Sequence, residues 1–269
     1  MPYSLRGRNV LITGGSRGLG AVIARKFAAE GSNVAINYAS SKETADKVAS
    51  ELAAQYNVKT IVVQGDAGSQ SDCINAVKTT IEHLGGIDVV ISNAGWTKMT
   101  KFADLDAMDD ADWDKCWSIN VKSSFHLFKA ALPTFNANPD GGVFILTSST
   151  AGVVPSGSSL PYAVTKAACK HSLSSLTNKE PADHKSKAIH LMKSLAQSQG
   201  PKIRVNAVLP GLLLTEWGQR FSPEQIKGWT DRTALGHTPE VEDTAEAYLS
   251  IAKNSSMTGQ AVQVDSGFR

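Results

Sequence analysis

Short apolar runs alternate along the chain with longer stretches whose apolar positions recur at helical spacing. Residues 9–13 (NVLIT) form an apolar run that ends in a glycine cluster, TGGSRGLG. The amphipathic stretch 21–30, closed by Gly31, completes a strand, a tight turn and a helix. Residues 34–38 (VAINY) predict a second strand, and 43–55 a helix with Ser41 or Lys42 near its start. A third strand is expected at 60–64 (TIVVQ), followed by Asp66 and a helix through about residue 84. A fourth at 89–92 ends at Asn93-Ala94-Gly95, and a polar stretch leads from there to a long helix over roughly 109–132. Residues 143–147 read as a fifth strand, then comes a helix carrying Tyr162, with further strands at 204–208 (RVNAV) and 261–264.

Strands that alternate with helices build parallel βαβ units with right-handed crossovers. Strands that are apolar throughout fit a sheet covered on both faces. The pattern therefore predicts an α/β fold, a doubly wound parallel sheet of about seven strands with helices on both faces. No internal repeat, low-complexity tract or linker interrupts it, so residues 1–269 are expected to form one domain.

Composition narrows the partners. A formal charge of +2 without a basic cluster gives no reason to expect nucleic acid. Cys73, Cys116 and Cys169 are scattered and odd in number, which fits a reducing compartment rather than a disulfide scaffold or a zinc site. The start, MPYSLRGRN, has no apolar signal region, and no apolar run approaches the roughly 20 residues of a membrane span. A cytoplasmic protein is expected. No metal is called for, because the histidines, His126 and His237 among them, have no ligand spacing.

Candidate chemistry centres on Tyr162 and Lys166. Four residues apart on a helix, their side chains share one face. An ammonium beside a phenol favours the phenolate and lowers the tyrosine pKa from about 10. Such a tyrosine exchanges a proton with a carbonyl or alcohol oxygen near neutral pH. Ser149 closes the 143–147 strand region and could hold the same oxygen. Gly14, Gly18 and Gly20 lie between a strand and a helix, where backbone can approach a pyrophosphate and a helix N-terminus can receive it.

Together these motifs resemble the short-chain dehydrogenase/reductase family, a Rossmann-type fold. TGGSRGLG, which contains Ser16, Arg17 and Leu19, is similar to its glycine loop, spaced GxxxGxG. Asp66-Ala67 resembles its adenine-contacting pair. Asn93-Ala94-Gly95 resembles its NNAG turn, with Ser92 in place of the first asparagine. Asn120 resembles its helix asparagine, and Ser149, Tyr162 and Lys166 its catalytic set. Pro210-Gly211, with Leu213 and Thr215, resembles the segment that binds the nicotinamide end, and TGQAVQVDSG its last strand.

The resemblance implies an oxidoreductase that interconverts a ketone or aldehyde with an alcohol. Tyr162 would pass the proton, Ser149 hold the oxygen, Lys166 also bind the nicotinamide ribose, and Asn120 hold a relaying water. Its bland alternative is a helix asparagine bonded to backbone. The second strand ends in Asn37-Tyr38-Ala39-Ser40-Ser41 without a carboxylate for a free 2′-hydroxyl, and Arg17 suits a 2′-phosphate. NADP(H) is therefore expected ahead of NAD(H). Substrate contacts are expected from 96–102, 153–161 and a lid over 212–235 that carries Trp217, Phe221 and Trp229. A dinucleotide-binding regulator without turnover, and an epimerase or lyase on the same fold, are the alternatives.

One stretch departs from the family. Residues 169–187 interrupt the tyrosine helix with a polar, proline-bearing insert, and removing its 19 residues restores the family pattern in phase. It is either a surface loop or a retained in-frame intron. A loop is expected to bulge out mobile while 162–168 stays helical. Because this helix packs between subunits in the family, the expected homodimer or homotetramer depends on it.

Overall fold

The computed structural model describes residues 3–168 and 191–269. The expected insert at 169–187 and its mobility lie outside the described residues. Among those residues seven strands form one sheet in the order β3-β2-β1-β4-β5-β6-β7, parallel throughout. They are β1 (Asn9–Ile12), β2 (Asn33–Tyr38), β3 (Thr60–Gln64), β4 (Val89–Ser92), β5 (Gly142–Thr147), β6 (Ile203–Pro210) and β7 (Ala261–Val264).

Alternate residues of each strand serve opposite faces. Val10 and Ile12 of β1 join one apolar cluster, while Leu11 joins the other. The first cluster takes in the helices α1 (Gly18–Ala29) and α2 (Lys42–Tyr56), together with Tyr248 and Leu249 further along the chain. On the opposite face, buried side chains of α3 (Gln70–Leu84) complete the second cluster with Leu127, Phe128 and Phe135. Both faces being covered explains why the strands read as unbroken apolar runs.

The helix expected over 109–132 is three segments. Following α4 (Asp110–Trp117), a π-helical turn spans Ser118–Lys122, and α5 runs from Ser123–Ala137 through Pro133. Pro133 forfeits one backbone hydrogen bond. The helix continues because Phe135 beyond it is fully buried, its ring seated where a Cβ on Gly142 would otherwise lie. The tyrosine helix, α6 (Leu160–Ala168), is helical over 162–168 as expected, and α7 covers Leu191–Gln199. The chain then adds α8 (Pro223–Thr230) and α9 (Val241–Lys253).

Chain order reverses between β1 and β4, which lie side by side. In a doubly wound sheet a ligand crevice opens there, at the carboxyl ends of the strands.

Candidate active site

The turn after β1 and the turn after β4 are tied together at that crevice. Thr13 Oγ1 accepts from the N–H groups of Asn93 and Ala94, each at 3.0 Å, and Asn93 Nδ2 donates to the Thr13 carbonyl at 3.0 Å. Gly18 has φ +53°, in the left-handed region. A Cβ on Gly20 would lie 2.2 Å from the Gly14 carbonyl oxygen, so no other residue fits there. Arg17, at the N-cap of α1, makes no side-chain cap, and the first turn of the helix contains no acid. Uncapped N–H groups and the positive end of the helix thus face the crevice, which suits a pyrophosphate.

The catalytic candidates stand on the far side of the same crevice. Lys166 is buried, 3% exposed, and its Nζ donates to the Thr147 carbonyl at 2.7 Å. It lies 5.6 Å from the centroid of the Tyr162 ring. The loop after β5 is fastened to α6 and β6: Ser148 Oγ donates to the Lys166 carbonyl at 2.8 Å, and Thr150 Oγ1 to the Pro210 carbonyl at 2.7 Å. Ser149 between them is partly exposed to the crevice.

Asn120 sits inside the π-helical turn and behind the crevice wall. Its Oδ1 accepts from the Trp96 N–H at 2.8 Å, and its Nδ2 donates to the Trp96 carbonyl and to Thr165 Oγ1, both at 3.0 Å. The side chain therefore grips backbone, across to another loop rather than along its own helix. Cys116 joins this knot, and burial pushes its thiol pKa up.

The crevice has a volume of about 600 Å³. Every residue expected to bind the dinucleotide lines it, as do Ser149, Tyr162 and Lys166; Asn120 does not. Two of these turn their side chains to other work. Asn37 is buried and donates to the Val63 and Gly65 carbonyls, joining β2 to β3, and Asp66 Oδ1 accepts from the Gly68 N–H at 2.8 Å. Lys42 pairs with Asp46 one turn on and is not part of the lining. Among the described residues no three His, Cys, Asp or Glu side chains come together as a metal site.

A sequence model described as short chain dehydrogenase matches residues 8–185, and one described as Enoyl-(Acyl carrier protein) reductase matches 177–269. The chain belongs to the short-chain dehydrogenase family. Among curated members, Granaticin polyketide synthase putative ketoacyl reductase 2 of Streptomyces violaceoruber is 35% identical over 96% of this chain and 94% of its own length. The 3-oxoacyl-[acyl-carrier-protein] reductase FabG of Staphylococcus aureus is 30% identical over 97% of both chains. Among solved structures, a short chain dehydrogenase of Burkholderia cenocepacia in complex with NADP superposes with a TM-score of 0.84 at 28% identity, covering 98% of this chain and 99% of that one. The NADPH-dependent 3-quinuclidinone reductase of Rhodotorula rubra gives 0.84 at 26% identity, covering 98% and 92%.

In this family member the crevice has a wall that the motifs did not reveal. Lys115 and Phe268 line it, as do Thr238 and Asp265, beside Trp96 of the expected 96–102 stretch. The C-terminal tail closes on the 212–235 segment, where Ala234 and Leu235 donate backbone N–H groups to Gly267 and Ser266 carbonyls at 3.1 Å. Phe268 then reaches within 6.2 Å of Trp229, and Trp229 within 5.1 Å of Phe221, between ring centroids. An aromatic residue at the end of the chain was the only signal available, and nothing local assigned it a neighbour. Trp217, expected in the lid, lies 6.0 Å from the Tyr162 ring.

Proposed function

We propose that this chain is an NADP(H)-dependent oxidoreductase that interconverts a ketone or aldehyde with the corresponding alcohol. One observation carries the reading: a single crevice brings the uncapped start of α1 and the set Ser149, Tyr162 and Lys166 together. Bound NADP(H) supplies or accepts the hydride. Tyr162 gives its phenolic proton to the oxygen that becomes the alcohol. Ser149 holds that oxygen where charge develops. Lys166 favours the phenolate of Tyr162 and also reaches for the nicotinamide ribose. Asn120 acts from behind by fixing the Trp96 backbone, and residue 120 is also the candidate holder of a water that returns protons to Lys166.

Arg17 and the hydroxyls of Ser40 and Ser41 hold the 2′-phosphate, with no carboxylate after β2 to oppose it. Gly14, Ser16, Gly18, Leu19 and Gly20 cradle the pyrophosphate. Asp66 and Ala67 flank the adenine, while Asn93, Ala94 and Gly95 line the middle of the cofactor. Pro210, Gly211, Leu213 and Thr215 hold the nicotinamide end. The segment 212–235 serves as a lid: α8 within it has no buried residue, and its aromatic side chains turn toward the crevice. Trp96, Trp217, Phe221, Trp229 and Phe268 favour a small to medium, ring-bearing or otherwise apolar substrate.

The activities for which these relatives are named, ketoacyl reduction and quinuclidinone reduction, are ketone reductions, which favours reduction as the working direction. Action in the cytoplasm as a homodimer or homotetramer completes the proposal; no described helix is long and apolar enough to cross a membrane.

The test is oxidation of NADPH by a panel of cyclic ketones and 3-ketoacyl thioesters. Turnover of at least one, dependent on Tyr162, is the expected result. Tight NADPH binding with no turnover of any, and no effect of Tyr162→Phe, would leave a dinucleotide-binding regulator instead.

A further inference from the structure

Arg17 has a partner at the crevice mouth. Its Nη1 lies 3.3 Å from Glu216 Oε2, and the two side chains are 61% and 68% exposed. Glu216 belongs to the 212–235 segment. Its neighbours touch working parts on either side. A Cβ on Gly18 would lie 3.5 Å from Thr215 Cβ, and the Trp217 ring lies tilted at 48° to the Tyr162 ring, 6.0 Å between centroids. Three consecutive residues thus bridge the phosphate loop and the catalytic tyrosine. Among the described residues, three carboxylates line the crevice. Asp66 accepts from the Gly68 N–H, and Asp265 from Gln263 Nε2 and the Gly267 N–H. Glu216 is the one that faces a cation.

We infer that Glu216 competes with the 2′-phosphate of NADP(H) for Arg17, so that it tempers affinity for the phosphorylated dinucleotide and leaves NAD(H) untouched. The inference rests on the reading of Arg17 as the 2′-phosphate ligand. A phosphate gripped bidentately across Nη1 and Nη2 needs the Nη1 that Glu216 holds, and the carboxylate's charge opposes a phosphate anywhere else on the same guanidinium. A phosphate monoester carries about −1.5 to −2 charges against the carboxylate's single one, so it displaces Glu216 on entry. Glu216 takes Arg17 back as NADP leaves, which favours departure of the product dinucleotide. A free 2′-hydroxyl offers Arg17 no such charge, so the pair persists with NAD(H). Both partners being exposed, the competition is modest in size.

The experiment is a fluorescence titration with NADPH and with NADH of the wild type, Glu216→Gln, Arg17→Ala and the double variant. Adenosine 2′,5′-bisphosphate and AMP serve as probes of the phosphate alone. Glu216 is exposed, so the glutamine variant keeps the fold. The expected result is a Kd for NADPH and for the bisphosphate lower by about 2- to 5-fold, the span an exposed ion pair corresponds to. Values for NADH and AMP stay in place, and the substitution has no effect without Arg17. An unchanged Kd for NADPH overturns the inference. So does equal tightening of both dinucleotides, or an effect that persists in the Arg17→Ala background. A wild type that binds no dinucleotide, or binds NADH as well as NADPH, overturns the cofactor reading itself and is thereby told apart from failure of the competition.

Discussion

Tyr162 keeps part of its surface in the crevice, while Lys166 one turn along is almost fully buried and donates to the Thr147 carbonyl. A buried ammonium costs several kcal/mol of hydration unless polar groups replace the water. The Thr147 carbonyl is one such group, and it carries no formal charge to cancel the ammonium. This pair was legible in the sequence because four residues on one helix fix the geometry locally. Arg17 was legible for a similar reason, from its place in the glycine loop. Its ion pair with Glu216, almost two hundred positions away along the chain, was not. Arg17→Ala is expected to weaken NADPH binding by about 10-fold, the size of a charge-assisted hydrogen bond, while the Kd for NADH holds steady. Equal loss for both dinucleotides would place Arg17 on the pyrophosphate instead.

The elements were read from period and composition with small errors at their ends. Strands β4 and β7 fall where the apolar runs predict them. The long helix before β5 is where the reading lost detail. Its apolar spacing persists through Ser118–Lys122, yet the backbone there takes a π-helical turn that aims Asn120 at Trp96. Such turns recur at functional sites and leave little trace in a hydrophobic pattern. Asn120→Leu strips the Trp96 N–H and carbonyl of their partners. A loss of about 1–3 kcal/mol in urea-measured stability is expected, with kcat per folded molecule down at least about 10-fold. Lower stability with full kcat would make Asn120 a purely structural residue.

At the scale of the molecule, a polar thread runs behind the crevice from α9 to the phosphate loop. The fully buried Tyr248 shares a 2.7 Å hydrogen bond with Thr147 Oγ1, which donates to Asn93 Oδ1 at 3.4 Å. Asn93 in turn donates to the carbonyls of Thr13 and Gly14. The backbone of Thr147 anchors Lys166, so the thread and the proposed catalytic cation share one residue. Burial raises the Tyr248 phenol's pKa, and it stays neutral at physiological pH. Tyr248→Phe keeps the volume and deletes one bond. It is expected to cost about 1–2 kcal/mol and to lower the melting temperature by about 2–6 °C in calorimetry. An unchanged melting temperature would mean that Thr147 finds another partner. None of this thread was visible in sequence, since its members join only when the sheet places β4 beside β1 and β5 beside β4.

The most direct test of proton transfer by Tyr162 is to compare binding and turnover in Tyr162→Phe. Removing one hydroxyl leaves the ring against Trp217 and the glycine loop unaltered, so NADPH fluorescence titration should return a Kd close to that of the wild type. Ketone-dependent oxidation of NADPH should fall at least about 100-fold, the range that a positioned acid contributes. Undiminished oxidation by the phenylalanine variant would contradict the account.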